Sequence, residues 1–246
     1  RWVGNESGLA RDDEWSVVSG PRGQGERGVD FLEVDNGAND LGSRDNLAEN
    51  EVTFWYPAEC DVSIRPGWFY HASQDLQVKS LEHLLDIYYR SVGRNSVLLL
   101  NVPPDQRGLF HENDVARLNE LRAVLDATFG EDVAGLAQGG GAAVDGAEDT
   151  YWSAQSDIDV LTLDLGAEKT VDRLLLQEAI EEGQRGERFV LEGLHEGRWK
   201  EIVRGGCIGY KRLERFSRVI IRRVRLRIEA SRAPARLRRI GLFCAP

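Results

Sequence analysis

The stretch SVGRNSVLLLNVPPDQRGL, residues 91–109, decides the fold. Its centre, SVLLLNV at 96–102, is a short continuous apolar run stopped by Pro103-Pro104, which reads as a β-strand covered on both faces. Before it, Leu81, Leu84, Leu85, Tyr88, Tyr89 and Val92 recur at three-to-four spacing within 75–92, an amphipathic helix ended by Gly93. After it, Val115, Leu118, Leu121, Val124 and Leu125 mark a second helix reaching about Phe129. Further upstream the chain turns apolar and aromatic at Val52 with VTFWYP, while RWVGN at 1–5 reads as a short strand end. Strand, helix, strand, helix is the grammar of a parallel α/β sheet or barrel. The polar, Gly-rich residues 20–50 read as one long loop.

The texture changes after the small-residue stretch 134–148, which holds the Gly139–Gly141 triplet. LTLDLG (161–166), VDRLLLQEAI (171–180), ERFVLEGL (187–194), RWKEIV (198–203), VIIRRVRLRIEA (219–230) and RRIGLF (238–243) are short alternating runs with no helical stretch between them. Such runs argue a β-sandwich. The expected organisation is therefore an α/β portion over 1–135, a linker at 136–142 and an all-β domain over 143–246. A chain of 246 residues, 41% hydrophobic and 29% charged, has material for two such cores. That balance excludes collagen-like and disordered chains, and no apolar run approaches the ~18 residues of a membrane span.

The net charge of -10 is unevenly placed, since 198–240 holds fifteen Lys/Arg against three acids. Arg223, Arg225 and Arg227 alternate with Val224, Leu226 and Ile228, the pattern of a strand with one wet face or one docked on the acidic part. Without a Gly-rich phosphate loop or an interleaved aromatic platform, nucleic acid is not the expected partner. Cys60, Cys207 and Cys244 are too few and too far apart for a disulfide framework or zinc site. The four histidines form no HxH or HExxH pattern, so neither metal nor cofactor is expected. No GxSxG elbow points to a serine hydrolase.

Two carboxylates stand out by context, Glu6 in RWVGNESG and Glu59 in FWYPAECDVSIRPGWFYH, with Asp61 beside the second. Both fall near strand ends, and parallel barrels do their chemistry at the carboxyl ends of strands. A carboxyl group against indole surface is poorly solvated and can stay protonated as a general acid. Trp55, Tyr56 and Trp68 suit carbohydrate, because a sugar's C–H face packs on an aromatic ring while carboxylates and Arg take its hydroxyls. Spacing alone leaves the plain alternative of a solvated loop Glu open. Asn101, ending the apolar strand, either points into the mouth or caps the turn.

With these segments in order, residues 1 to about 135 resemble the carboxyl-terminal half of the catalytic barrel of glycoside hydrolase family 29, the retaining α-L-fucosidases. The resemblance is closest to the branch acting on α-1,3/1,4-linked fucose. It implies that Glu6, in the GNE motif, is the acid/base, that Arg1 contacts fucose, and that Trp68 packs on the sugar's methyl side. The family's other branch implies Glu59 as a reserve acid/base. The family's nucleophile is an aspartate on an earlier strand. A chain that opens at Arg1 and contains no Met is expected to be a fragment or processed product, inactive by itself and able to pair with a missing amino-terminal half. Residues 143–246 resemble the discoidin-type, galactose-binding-like sandwich through DGAEDTYWSA, LTLDLG and LQEAIEEGQR. There Glu178, Gln184 and Arg185 form a sugar-binding site, an interdomain site or ordinary salt bridges. The implied protein is a secreted or periplasmic α-L-fucosidase acting on fucosylated glycans. The alternatives are a non-catalytic carbohydrate-binding protein working through the sandwich, or an interaction module using the Arg-rich face.

Overall fold

The computed structural model describes residues 1–20, 34–49 and 52–246, together with the backbone of 22–24 and 30–32. The first part contains β1 (Val17–Ser19), β2 (Arg22–Gln24), β3 (Asp30–Leu32), α1 (Arg44–Ala48), β4 (Thr53–Trp55), β5 (Ala58–Ser63), α2 (Leu81–Arg90), β6 (Ser96–Asn101) and α3 (Glu112–Phe129). β5 and β6 are parallel, in register from Ala58 opposite Ser96 to Ser63 opposite Asn101. Residues 1–3 run parallel along the other side of β5. There the Val3 N–H donates to Glu59 O at 3.1 Å and the Glu59 N–H to Arg1 O at 2.6 Å. Ser80 Oγ caps α2 by accepting the His83 N–H, and His111 caps α3 through Nδ1. Leu84 and Ile87 of α2 pack with Val62 and Ile64, so the helices cover one face of this parallel layer.

The opposite face is bare, which corrects the expectation that 96–102 is covered on both sides. Leu98 and Leu100 point to the helices, whereas Val97 and Leu99 are 59% and 54% exposed. Trp2, 44% exposed, stands opposite Glu59 on the neighbouring strand. A strand shows its residues alternately on two faces, and among the described residues only the helical face has a covering layer. The long loop expected over 20–50 also needs correction, because it contains the antiparallel hairpin β2–β3 and α1, capped by Ser43. The rest of 21–33 and residue 50 lie outside the described residues. β1 pairs antiparallel with β4.

The second part is β-rich: β7 (Trp152–Ser153), β8 (Asp159–Glu178), β9 (Gly186–His195), β10 (Arg198–Gly205), β11 (Arg212–Ser231) and β12 (Arg236–Phe243). All pairings are antiparallel, in the order β10-β9-β11-β8-β12-β7. The runs at 161–166 and 171–180 are not separate strands; both belong to the 20-residue β8. β8 and β11 shift register between Arg215 and Val219 and again between Ile221 and Arg223. Such bulges bend strands, so the sheet curls over one core that takes Leu161 and Leu163 from one half of β8 and Leu174 and Leu176 from the other. Within the residues read as a linker, Gln138 exchanges backbone hydrogen bonds with Asp164, and on either side of them Val133, Ala134 and Ala143 join the core of that domain. The arginines of β11 are met by acids, Arg222 and Arg223 by Asp164 and Arg225 by Glu192.

Asn95 joins the two parts. In the left-handed region at φ 58°, its Nδ2 donates to Glu14 O at 2.9 Å and Ser16 Oγ at 3.1 Å, while Oδ1 accepts the Tyr210 N–H at 2.6 Å. Gly209 lies so close that an added Cβ would sit 2.4 Å from the Asn95 amide carbon. Arg215 extends the contact by bonding Asp86 at 2.6 Å and stacking 4.7 Å from the Tyr89 ring centre. Tyr89, Leu175, Leu213 and Phe243 form a shared apolar cluster beneath.

Candidate active site

The carboxyl ends of the three parallel segments lie side by side, and the loops leaving them hold Glu6 and Trp68. After Val3 the chain turns at Gly4, whose φ of 89° and 2.6 Å clearance to Asn36 O leave no room for a Cβ. Asn5 then holds the turn, accepting the Ser7 N–H at 3.1 Å and donating to Leu9 O at 2.9 Å. That places Glu6 just beyond the carboxyl ends of the parallel segments, where its Oε2 accepts the Trp68 indole N–H at 2.9 Å.

Trp68 comes from the loop after β5, and this loop is fixed from below. Arg65, fully buried, donates to Asp114 and to Asp75, each at 2.9 Å. Asn101, at the end of β6, donates through Nδ2 to Trp68 O and to Ser63 Oγ, both at 3.0 Å. Its side chain therefore braces the loop that bears the indole. Asp61, two residues beyond Glu59 and so on the same face of β5, accepts the Trp2 indole N–H at 2.5 Å. Sequence reasoning left Asn101 open and gave no role to Asp61 or Arg65. Strict alternation along β5 was the available signal for Asp61. Arg65 offered none, since its buried partner Asp114 comes from α3, 49 residues further on.

The expected burial of Glu6 is not met: the side chain is exposed, and its contact is the N–H edge of an indole rather than a ring face. Arg1 is not presented to the mouth, because its guanidinium is buried in an ion pair with Glu14. Glu59 lies near the amino end of β5, several residues before the end where Trp68 and Glu6 meet. Trp55 lies just before that same amino end and lines an apolar cavity of about 360 Å³ with Ala58, Val97, Ile180 and Tyr210. Tyr56 lies beside it, its N–H bonded to Ser16 O. The structure thus brings Glu6 and Trp68 together and leaves Arg1, Trp55, Tyr56 and Glu59 apart from them.

The sandwich cluster is structural in its bonding. Glu178 is buried, and its carboxyl accepts the N–H groups of Arg185, Gly186 and Gly209 at 2.8–3.0 Å. Burial pushes its pKa up to about 7 against the pull of those donors. Gln184 is an interdomain residue, accepting the Ser16 N–H at 2.8 Å and donating to Glu14 O at 3.0 Å. Arg185 is spent on Glu182 O and Pro234 O.

Residues 32–128 match the Alpha-L-fucosidase family model and residues 130–239 the F5/8 type C domain model. The chain is 34% identical to Alpha-L-fucosidase 1 of Arabidopsis thaliana, over 99% of this chain and 49% of that protein. It superposes on the crystal structure of SpGH29 with a TM-score of 0.87 and 36% identity, covering all of this chain and 54% of the other. A Ruminococcus gnavus GH29 fucosidase in complex with fucose gives 0.82 and 27%, covering all of this chain and 50% of that one. The class is thus a glycosidase-type α/β layer with an appended β-sandwich. The chain's first part matches the α-L-fucosidase family and its second the F5/8 type C (discoidin) domain, and the relatives it resembles are fucosidases of glycoside hydrolase family 29. It spans about half the length of the curated relatives it matches.

Proposed function

We propose that this chain supplies the acid/base side of a retaining α-L-fucosidase site that releases terminal L-fucose from fucosylated glycans. Glu6 carries the reading, because the Trp68 indole holds its carboxyl at the carboxyl ends of parallel strands. Retention requires two carboxyl groups about 5 Å apart. One attacks the anomeric carbon while the other protonates the departing oxygen and later takes a proton from water. Glu6 fills the second role, and residues outside these 246 supply the nucleophile. The layer of residues 1–3, β5 and β6 is then part of a (β/α)8 barrel whose remaining strands cover Trp2, Val97 and Leu99. Relatives of known activity over the same span support this reading.

Hydrolysis of an aryl α-L-fucoside tests it. The 246-residue chain is expected to release no aryl alcohol. A longer polypeptide containing the second carboxyl is expected to turn over and to lose that turnover on Glu6→Gln. Release by the isolated chain, abolished by Glu6→Gln, would put both carboxyls within these residues and overturn the division of labour.

A further inference from the structure

Trp68 carries the donor that meets Glu6, and the two peptide planes on either side of its Cα are each tied to one side chain. Ser63 Oγ donates to Gly67 O at 2.7 Å, and Asn101 Nδ2 donates to Trp68 O at 3.0 Å. Gly67 O belongs to the plane before the Trp68 Cα and Trp68 O to the plane after it. Holding both planes restrains φ and ψ of Trp68, so its side-chain dihedrals are what is left to place the indole. Among the described residues no other hydrogen bond reaches either plane.

The two side chains act as one clamp. Ser63 closes β5, Asn101 closes β6, and the parallel register sets them opposite each other. Asn101 Nδ2 also donates to Ser63 Oγ at 3.0 Å, and the Arg65 N–H reaches the same oxygen at 3.3 Å. A hydroxyl offers one donor and two acceptor sites, and in Ser63 all three are engaged. Both amide hydrogens of Asn101 are spent within the protein too, so its amide nitrogen has no donor left for a ligand. The Arg65 side chain, bonded to Asp114 and Asp75, holds the base of the loop and touches neither plane beside Trp68.

Among the described residues the Glu6 carboxyl has one hydrogen-bond partner, the Trp68 indole at 2.9 Å. A shift of the indole nitrogen by about 1 Å takes that contact beyond hydrogen-bonding distance. We propose that Ser63 and Asn101 are positioning residues for the acid/base, holding the Trp68 backbone so that its indole aims the Glu6 carboxyl, a role that rests on the reading of Glu6 as proton donor.

Indole N–H spectra of the 246-residue chain carrying ¹⁵N-labelled tryptophan test the clamp without turnover. The Trp68 signal is identified by its loss in Trp68→Phe, and Glu6→Ala gives its position without the carboxyl. Asn101→Asp keeps the size of the side chain and removes both donors. It is expected to move the Trp68 signal most of the way to the Glu6→Ala position while the signals of Trp15, Trp152 and Trp199 stay in place. Ser63→Ala, the second variant, is expected to do the same. In a longer polypeptide containing the second carboxyl, Asn101→Asp is expected to lower kcat about tenfold or more, with KM changed less than about twofold. A Trp68 signal unmoved in both variants, or all indole signals moving together as general loosening would cause, overturns the proposal. So does a loss carried by KM instead of kcat. The spectra are independent of turnover, so a failed clamp and a failed Glu6 assignment, judged on the aryl fucoside, are separate results.

Discussion

The indole N–H of Trp68 meets Glu6 Oε2 at 2.9 Å across 62 residues of sequence. It is a donor aimed at a carboxyl oxygen, with its own loop held by Asn101 and Arg65. Such a donor fixes the direction in which the carboxyl points. The geometry therefore sets the direction in which the acid presents itself.

A general acid matters in proportion to how poorly its leaving group departs unaided. In a catalytically competent form of the protein, Glu6→Gln is expected to slow hydrolysis of a sugar-linked fucoside by about 10²–10⁴-fold. A fucoside with a strongly acidic phenol as leaving group should be slowed much less in its first step. Trp68→Phe removes the donor that orients the carboxyl but keeps the ring, and should lower kcat more than it changes KM. Equal losses on both substrates for Glu6→Gln would assign Glu6 a role other than proton donor.

Val97, Leu99 and Trp2 form one bare apolar face beside the polar Asp61. Exposed apolar strand surface next to unpaired strand edges promotes association. The isolated chain is expected to elute larger than a monomer in size-exclusion chromatography with light scattering, and Val97→Lys/Leu99→Lys is expected to shift it toward the monomer. A non-associating unsubstituted monomer at micromolar concentration would count against an open face.

Asn95 satisfies groups from both domains with one side chain. Asn95→Ala removes the donor to the buried Glu14 O and the acceptor of the part-buried Tyr210 N–H, and places a residue with no polar side chain at positive φ. A loss of about 3 kcal/mol is expected in urea unfolding. The Gly93 to Leu213 region should lose hydrogen-exchange protection before the sandwich core does.

Glu178 gives the sandwich a pH dependence of definite sign. Its folded pKa, raised to about 7 from an ordinary 4.5, means the folded state holds a proton that the unfolded state has released between those values. This contribution to stability is full below about 4.5 and is lost as pH rises through about 7. The urea midpoint of the unsubstituted protein is expected to fall relative to that of Glu178→Gln between pH 5 and pH 8. Parallel curves for the two would remove Glu178 as the cause.

Periodicity carried the elements well. The leucines of 81–92 and 115–125 formed α2 and α3, and the short alternating runs after 150 formed antiparallel strands. Local sequence did not show that two of those runs share β8, since a bulge leaves the alternation broken while the strand goes on. The apolar run at 96–102 made a strand, but periodicity could not tell which neighbours cover it. Glu6 and Trp68 were legible as motif residues, whereas Asp61 and Arg65 depend on partners that no spacing rule connects.

By itself the sequence determined what each segment is, because propensity and alternation are short-range properties of the chain. It also carried the resemblance to a family, since three separated motifs stand in a fixed order. Tertiary structure alone decided which carboxyl meets an indole, that Arg1 goes to Glu14, and that Gln184 serves the domain junction. Those outcomes depend on which groups packing brings within hydrogen-bonding distance, a long-range property that local order does not encode.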